Sequence, residues 1–218
     1  MKRLTILHAS RAAVDPVATH FAQGLAGWQI THVLDDGIMR LLQAEQWDLA
    51  VERLRRWAGE TEAAYGADGV MITCSALPVA ALEALKQSVP QPLIKIDEPM
   101  ARAAVQAIAG RSKRIGVLST FPATQATTRE LLHWAAAGEE IVLVEEMEAE
   151  ALRRLLAGDT RGHDEIVSAA AERFRGKVDL LVLAQVSLAR WAKPLEEKLG
   201  MPVLESLTSS CEYWRNQR

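Results

Sequence analysis

The chain has 218 residues, 49% apolar and 24% charged, with a formal net charge of −3. This length suffices for one large core or two of about 100 residues each, and the slight acidic balance argues against nucleic acid, which selects a basic face. No apolar run reaches the ~20 residues of a membrane span, the amino-terminal apolar stretch is too short for a signal peptide, and two cysteines, Cys74 and Cys211, make no disulfide framework; a cytoplasmic chain with reduced thiols is expected.

Leu4–His8 reads as a strand, and Asp15-Pro16 opens a helix, with Asp as N-cap and Pro at the first helical position. Ile30–Leu34 is a second strand ending in Asp35-Asp36, and a charged helix follows from about Gln46 to Tyr65. Gly69–Thr73 is a continuously apolar strand, Leu77–Gln87 a helix, Pro92–Ile96 a strand and Glu98–Ala109 a helix. The second half repeats the order. Arg114–Ser119 is a strand, Thr124–Ala137 a helix and Ile141–Val144 a strand, with Glu145-Glu146 matching Asp35-Asp36 as solvated turns or, for one of the pairs, as the edge of a cleft. Helices cover about Glu148 to Phe174, then come strand Leu180–Ala184, helix Leu188–Leu199, strand Pro202–Glu205 and a helical tail over Ser209–Asn216.

The two halves are copies. Lys2-Arg3-Leu4-Thr5-Ile6-Leu7 matches Lys113-Arg114-Ile115-Gly116-Val117-Leu118, Asp68-Gly69-Val70-Met71-Ile72 matches Asp179-Leu180-Leu181-Val182-Leu183, and Pro92-Leu93-Ile94 matches Pro202-Val203-Leu204, at spacings of 111, 111 and 110 residues. Strands that are apolar throughout are buried on both faces, as in a parallel sheet covered by helices, and their alternation with helices gives βαβ units. The expected fold is α/β: two pseudo-symmetric lobes, each a four-stranded, mainly parallel sheet flanked by helices, with a cleft between them. The first lobe takes residues 1–97 plus 206–218 and the second 98–205, joined through Gly110-Arg111-Ser112 with no long linker.

Parallel sheets bind ligands at the carboxyl ends of their strands. Those ends carry His8-Ala9-Ser10 and Thr73-Cys74-Ser75-Ala76 in the first copy, and Ser119-Thr120 and Ala184-Gln185-Val186-Ser187 in the second. Hydroxyls and free helix-start amides suit a small carboxylate; no arginine stands at these four ends, so neutral donors are expected to recognise it. Cys74, between a buried strand and a helix, reads as a thiol whose pKa the helix dipole lowers, or as a small buried hydrophobe. Cys211 lies in the tail helix without such a context. His8, His20, His32, His133 and His163 form no metal-ligand pattern, so no metal is expected. His8 ends a strand and is a candidate site residue. Neither a Gly-rich phosphate loop nor a Gly-x-Ser-x-Gly elbow is present.

Gly-Ala-Asp-Gly-Val-Met-Ile-Thr-Cys-Ser (66–75), Val-Asp-Leu-Leu-Val-Leu-Ala-Gln (178–185) and Arg-Ile-Gly-Val-Leu-Ser-Thr (114–120) together resemble the aspartate/glutamate/hydantoin racemase superfamily across nearly the whole chain. The resemblance implies a cofactor-free site on a small carboxylate, flanked by one cysteine from each lobe, and often a homodimer. The family's first cysteine maps onto Cys74; the second maps onto Ala184 or Gln185, neither an acid nor a base. With Cys74 the only retained thiol, Gln185 is left as a hydrogen-bonding counterpart. His8, Ser10, Thr73, Ser75, Ala76, Ser119, Thr120 and Val186 are the expected substrate-binding positions, and racemisation would require Glu205 or His8 to serve the second face. Relatives with one cysteine are decarboxylases that keep the second lobe's thiol, the reverse of this chain, and others isomerise small diacids. Proton transfer at the α-carbon, such decarboxylase or isomerase chemistry, a non-catalytic metabolite-binding relative, and a thiol hydrolase using His8 as base therefore remain open.

Overall fold

The computed structural model describes residues 1–108 and 114–217. The expected connector Gly110-Arg111-Ser112, the repeat residue Lys113 and the expected helix end at Ala109 lie outside them. Two compact units result. The first comprises Met1–Ile96 with Ser210–Arg218, the second Asp97–Ser209.

In the first unit, strands β1 (Arg3–His8), β2 (Gln29–Leu34), β3 (Gly69–Ile72) and β4 (Leu93–Lys95) form a sheet of order β2-β1-β3-β4, parallel at every pair. The second unit repeats this with β5 (Arg114–Ser119), β6 (Val142–Met147), β7 (Leu180–Leu183) and β8 (Val203–Glu205) in the order β6-β5-β7-β8. Both units are flanked by helices. Those of the first are α1 (Val14–Gly24), α2 (Gly37–Gln43), α3 (Trp47–Tyr65) and α4 (Val79–Ser88); those of the second are α5 (Glu98–Ala107), α6 (Pro122–Ala135), α7 (Ala149–Leu156), α8 (Thr160–Glu172) and α9 (Ala192–Leu199), and α10 (Ser206–Asn216) closes the chain.

The repeat extends to single hydrogen bonds. Asp68 accepts from the Arg3 N–H at 2.8 Å, and Asp179 accepts from the Arg114 N–H at 2.9 Å. Thr73 N–H donates to the Leu7 carbonyl and Ala184 N–H to that of Leu118, both at 3.0 Å. The register does the same, pairing Leu4 with Gly69 and Ile115 with Leu180. β3 and β7 are buried at every position, as their unbroken apolar sequences require. β2 and β6, at one edge of each sheet, are only half-buried, whereas the opposite edge strand β4 is buried throughout.

Several boundaries differ from the sequence reading. Asp15 does not cap α1. Ser10 instead accepts from the Ala12 N–H at 3.3 Å and starts a short 3-10 turn, which places Asp15 and Pro16 inside the first helical turn. The helix α2 went unread, since its seven residues are too few to show a period. Glu145 and Glu146 belong to β6 and are not a turn; they pair with Arg129 at 2.8 Å and Arg173 at 2.9 Å. Asp35 is buried rather than solvated. The stretch from Glu148 to Phe174 is two helices, parted at Gly158 in a left-handed conformation (φ 82°), after which Asp159 accepts from the Gly162 N–H and starts α8. The first turn of α10 groups with the second unit, where the Glu205 carboxylate accepts from the Leu207 and Thr208 N–H groups.

The remainder of α10 packs in the first unit. Trp214, 1% exposed, lies directly on Gly69, where a Cβ would come within 2.5 Å of the indole. Cys211, also buried, lies against Gly24. In the second unit Phe174 plays the equivalent part over Gly116, within a core that includes Val167, Leu181, Leu183 and Leu195.

Candidate active site

At the end of β1, His8 is 1% exposed and held at both ring nitrogens. Its Nδ1 lies 3.2 Å from the Thr73 hydroxyl and its Nε2 lies 2.9 Å from His32 Nδ1, with the two rings stacked at 5.2 Å. The Thr73 hydroxyl also donates to the Leu7 carbonyl at 3.4 Å. With that proton placed, His8 Nδ1–H donates to Thr73 and Nε2 accepts from His32, so the pair is neutral. Burial, reinforced by the neighbouring His32, lowers the His8 pKa to about 4, and burial lowers that of His32 as well. Neither nitrogen of His8 is left to serve as base to a thiol. The thiol-hydrolase arrangement is therefore not built here.

Cys74 follows β3 and is 4% exposed, with Ser75 and Ala76 buried beside it. Its position differs from the expectation in one respect that matters to its chemistry. Cys74–Leu77 form a turn closed by the Leu77 N–H on the Cys74 carbonyl at 3.2 Å, and α4 begins only at Val79, after Pro78. The helix-dipole effect fades beyond the first turn, so Cys74, five residues before α4, is not under it. A lysine holds the same turn. Lys95, 0% exposed on β4, donates to the Ser75 carbonyl at 3.2 Å and to the Leu77 carbonyl at 3.0 Å. Neutral donors are expected at the strand ends, but β4 brings this lysine to the turn as well.

In the second unit Gln185 stands where the repeat places Cys74. Its Oε1 accepts from the Thr120 N–H at 2.7 Å and its Nε2 donates to the Thr120 hydroxyl at 2.9 Å. Sequence spacing brought Gln185 and Thr120 to neighbouring strands, and the side chain bridges them. Ser119, fully buried at the end of β5, has no hydrogen-bond partner for its Oγ among the described residues. Val186 opens a 3-10 helix, Val186–Trp191, with Gln185 at its N-cap position. Ser10 is half-buried and occupied in its own turn. Glu205, the other acid near a strand end, is engaged by the start of α10.

The family model for Asp/Glu/hydantoin racemase matches residues 25–213. The chain belongs to the Asp/Glu/hydantoin racemase family. No curated protein sequence matches it significantly. Among solved structures, allantoin racemase from Klebsiella pneumoniae is 17% identical with a TM-score of 0.73, over 99% of this chain and 87% of that one. Glutamate racemase from Aquifex pyrophilus is 22% identical with a TM-score of 0.68, over 99% and 84%. An aspartate racemase homologue from Pyrococcus horikoshii is 14% identical with a TM-score of 0.71, over 100% and 99%. At such identities the likeness is one of fold, and it agrees with the duplicated racemase-family sheet described above.

Three residues of this family member escaped the sequence reading. His32 sits mid-strand, and nothing local marks it as the partner of His8. Lys95 looks like an ordinary charged residue on an edge strand. Asp35, at the end of β2, accepts from the Gly37 N–H at 3.1 Å, from Arg53 at 2.8 Å and from Trp57 Nε1 at 3.0 Å. Burial pushes its pKa up, but these hydrogen bonds and the Arg53 charge outweigh it and the net shift is downward. The spacing of Arg53 and Trp57, one turn apart on α3, was the only sequence signal for that cluster. Among the described residues no group of three or more His, Cys, Asp or Glu side chains could hold a metal ion, and no helix is long and apolar enough to cross a membrane.

Proposed function

We propose that this family member moves a proton at the α-carbon of a small carboxylate, without a cofactor, using Cys74 as its one ionisable proton carrier. The observation that carries the reading is the asymmetry of the repeat. Of two equivalent strand-end positions, one holds a buried thiol and the other a glutamine whose amide is already bonded to Thr120. A thiolate is a competent base toward a carbon acid. The amide is neither acid nor base, so the second copy supplies no second proton carrier at this position. Thr73 and Ser75, buried beside the thiol, are the strand-end hydroxyls of the same unit that would bind the carboxylate.

Proton transfer by one group from one side gives exchange with retention, or a stereospecific product, rather than racemisation. The test is solvent deuterium incorporation at the α-carbon across a panel of amino acids, hydantoins and small diacids, followed by mass spectrometry and chiral chromatography. Incorporation without inversion is expected, falling at least about a hundredfold in Cys74→Ser. Release of carbon dioxide from a malonate would instead identify a single-cysteine decarboxylase. A second reading, a metabolite-binding relative without turnover, is favoured by the replacement of the second thiol; tight binding of a panel member with no exchange would establish it.

A further inference from the structure

The turn that carries Cys74 lacks the helix terminus that would ordinarily activate a thiol at this place, yet a buried lysine is fastened to that same turn. We propose that Lys95 is a positioning residue for Cys74: its ammonium locks the Ser75–Leu77 segment and supplies the field that holds the sulfur as thiolate. The inference rests on the reading of Cys74 as proton carrier and adds the source of its activation. Lys95 Nζ reaches the carbonyls of Ser75 and Leu77 at 3.2 and 3.0 Å, while its own strand residue pairs with Ile72, two positions before Cys74. Standard bond lengths then keep the ammonium within about 12 Å of the sulfur whatever the Cys74 rotamer. At that limit, with an effective dielectric constant of about 20, one positive charge lowers a thiol pKa by about one unit, and more if the approach is closer. Both groups are almost wholly shielded from water, so salt screens the effect weakly, and the same burial, which by itself raises a thiol pKa, is what the Lys95 charge has to outweigh.

The other titratable groups on the elements around this strand end do not supply that charge. β3 has none. On β1 and β2, His8 and His32 both have lowered pKa values and are neutral where a thiol titrates. On α4, Lys86 and Glu83 pair with each other at 3.1 Å. Asp35 is matched by Arg53 at 2.7 Å. Asp97 and Glu98, which follow β4 in the chain and are also buried, are acids and act in the opposite sense. In the second copy the strand position equivalent to Lys95 is Glu205, whose carboxylate serves α10. A cation thus accompanies only the copy that keeps its cysteine.

The decisive measurement is the pH profile of iodoacetamide alkylation at the Cys74 peptide, read by mass spectrometry, in native protein, in protein unfolded by concentrated guanidinium, and in Lys95→Met and Lys95→Gln. The native profile should fall below the unfolded one. Both variants should move the folded midpoint up by about one unit or more, Gln included, because it keeps a donor but not the charge. A merely structural lysine would change the rate of alkylation without moving its midpoint. A native midpoint at or above the unfolded one overturns the proposal even if neither variant folds, as does an unmoved midpoint in a folded variant. The readout needs no substrate. A lowered midpoint that depends on Lys95, without deuterium exchange, would sink the proton-transfer reading alone; exchange that depends on Cys74, with a midpoint indifferent to Lys95, would sink this inference alone.

Discussion

His8 shows at the scale of one residue how burial converts a familiar side chain into something else. A strand-end histidine invites the role of base, but here desolvation and His32 lower its pKa from 6.5 to about 4, and Thr73 and His32 occupy its nitrogens. The consequence for stability has a definite sign. Between pH 6.5 and about 4 the unfolded chain takes up a proton that the folded chain refuses, so stability is full above that window and is lost as pH falls through it. His32, lowered as well, acts in the same direction. The Asp35 contribution disappears in a separate, more acid range, because its folded pKa lies below the usual carboxylate value. Melting temperatures of the native protein should therefore fall from pH 6.5 to 4, and His8→Asn should flatten that slope; an equally steep slope in the variant would contradict the assignment. The histidine was legible as a strand-end residue. Its neutrality was not, since it depends on a partner on another strand.

Among elements, the C-terminal helix α10 is the most informative. Its start is set by Glu205, which satisfies two N–H groups that a helix leaves open. Its end is set by Trp214, for which β3 provides a glycine and no side chain. Gly69→Ala should bring a methyl group to about 2.5 Å from the indole, and relief of that clash should cost about 1–3 kcal/mol in urea unfolding, with a loss of Trp214 burial visible in its fluorescence. Unchanged stability and emission would show that the ring is not seated as described. The strands were readable because both sheets bury continuous apolar runs. The helix starts were less so: Pro78 moves the beginning of α4 past Leu77, and Ser10 starts a 3-10 turn before Asp15 can cap anything. Such shifts are small in residues and large in chemistry, for they set Cys74 five residues before the start of α4 and leave its turn held by Lys95.

For the whole molecule, the chain crosses from one unit to the other and back, and residues 210–218 complete the unit in which the chain began. A chain ending at Ser209 should lose hydrogen-exchange protection across Met1–Ile96, which is deprived of Cys211 and Trp214, and retain it across Asp97–Ser209. Uniform loss in both units would mean that they do not fold as separate cores.

The duplication, the eight strands and the difference between Cys74 and Gln185 were determined by sequence alone, because a buried parallel strand must be apolar along its length and a copied strand keeps its spacing. What those residues touch was decided only in three dimensions. Thr120 takes up Gln185, Thr73 and His32 take up His8, and Lys95 reaches under the cysteine turn from β4. Hydrogen bonds of that kind join residues from 18 to 65 positions apart, and the free energy of forming them depends on burial, which no local stretch of sequence encodes.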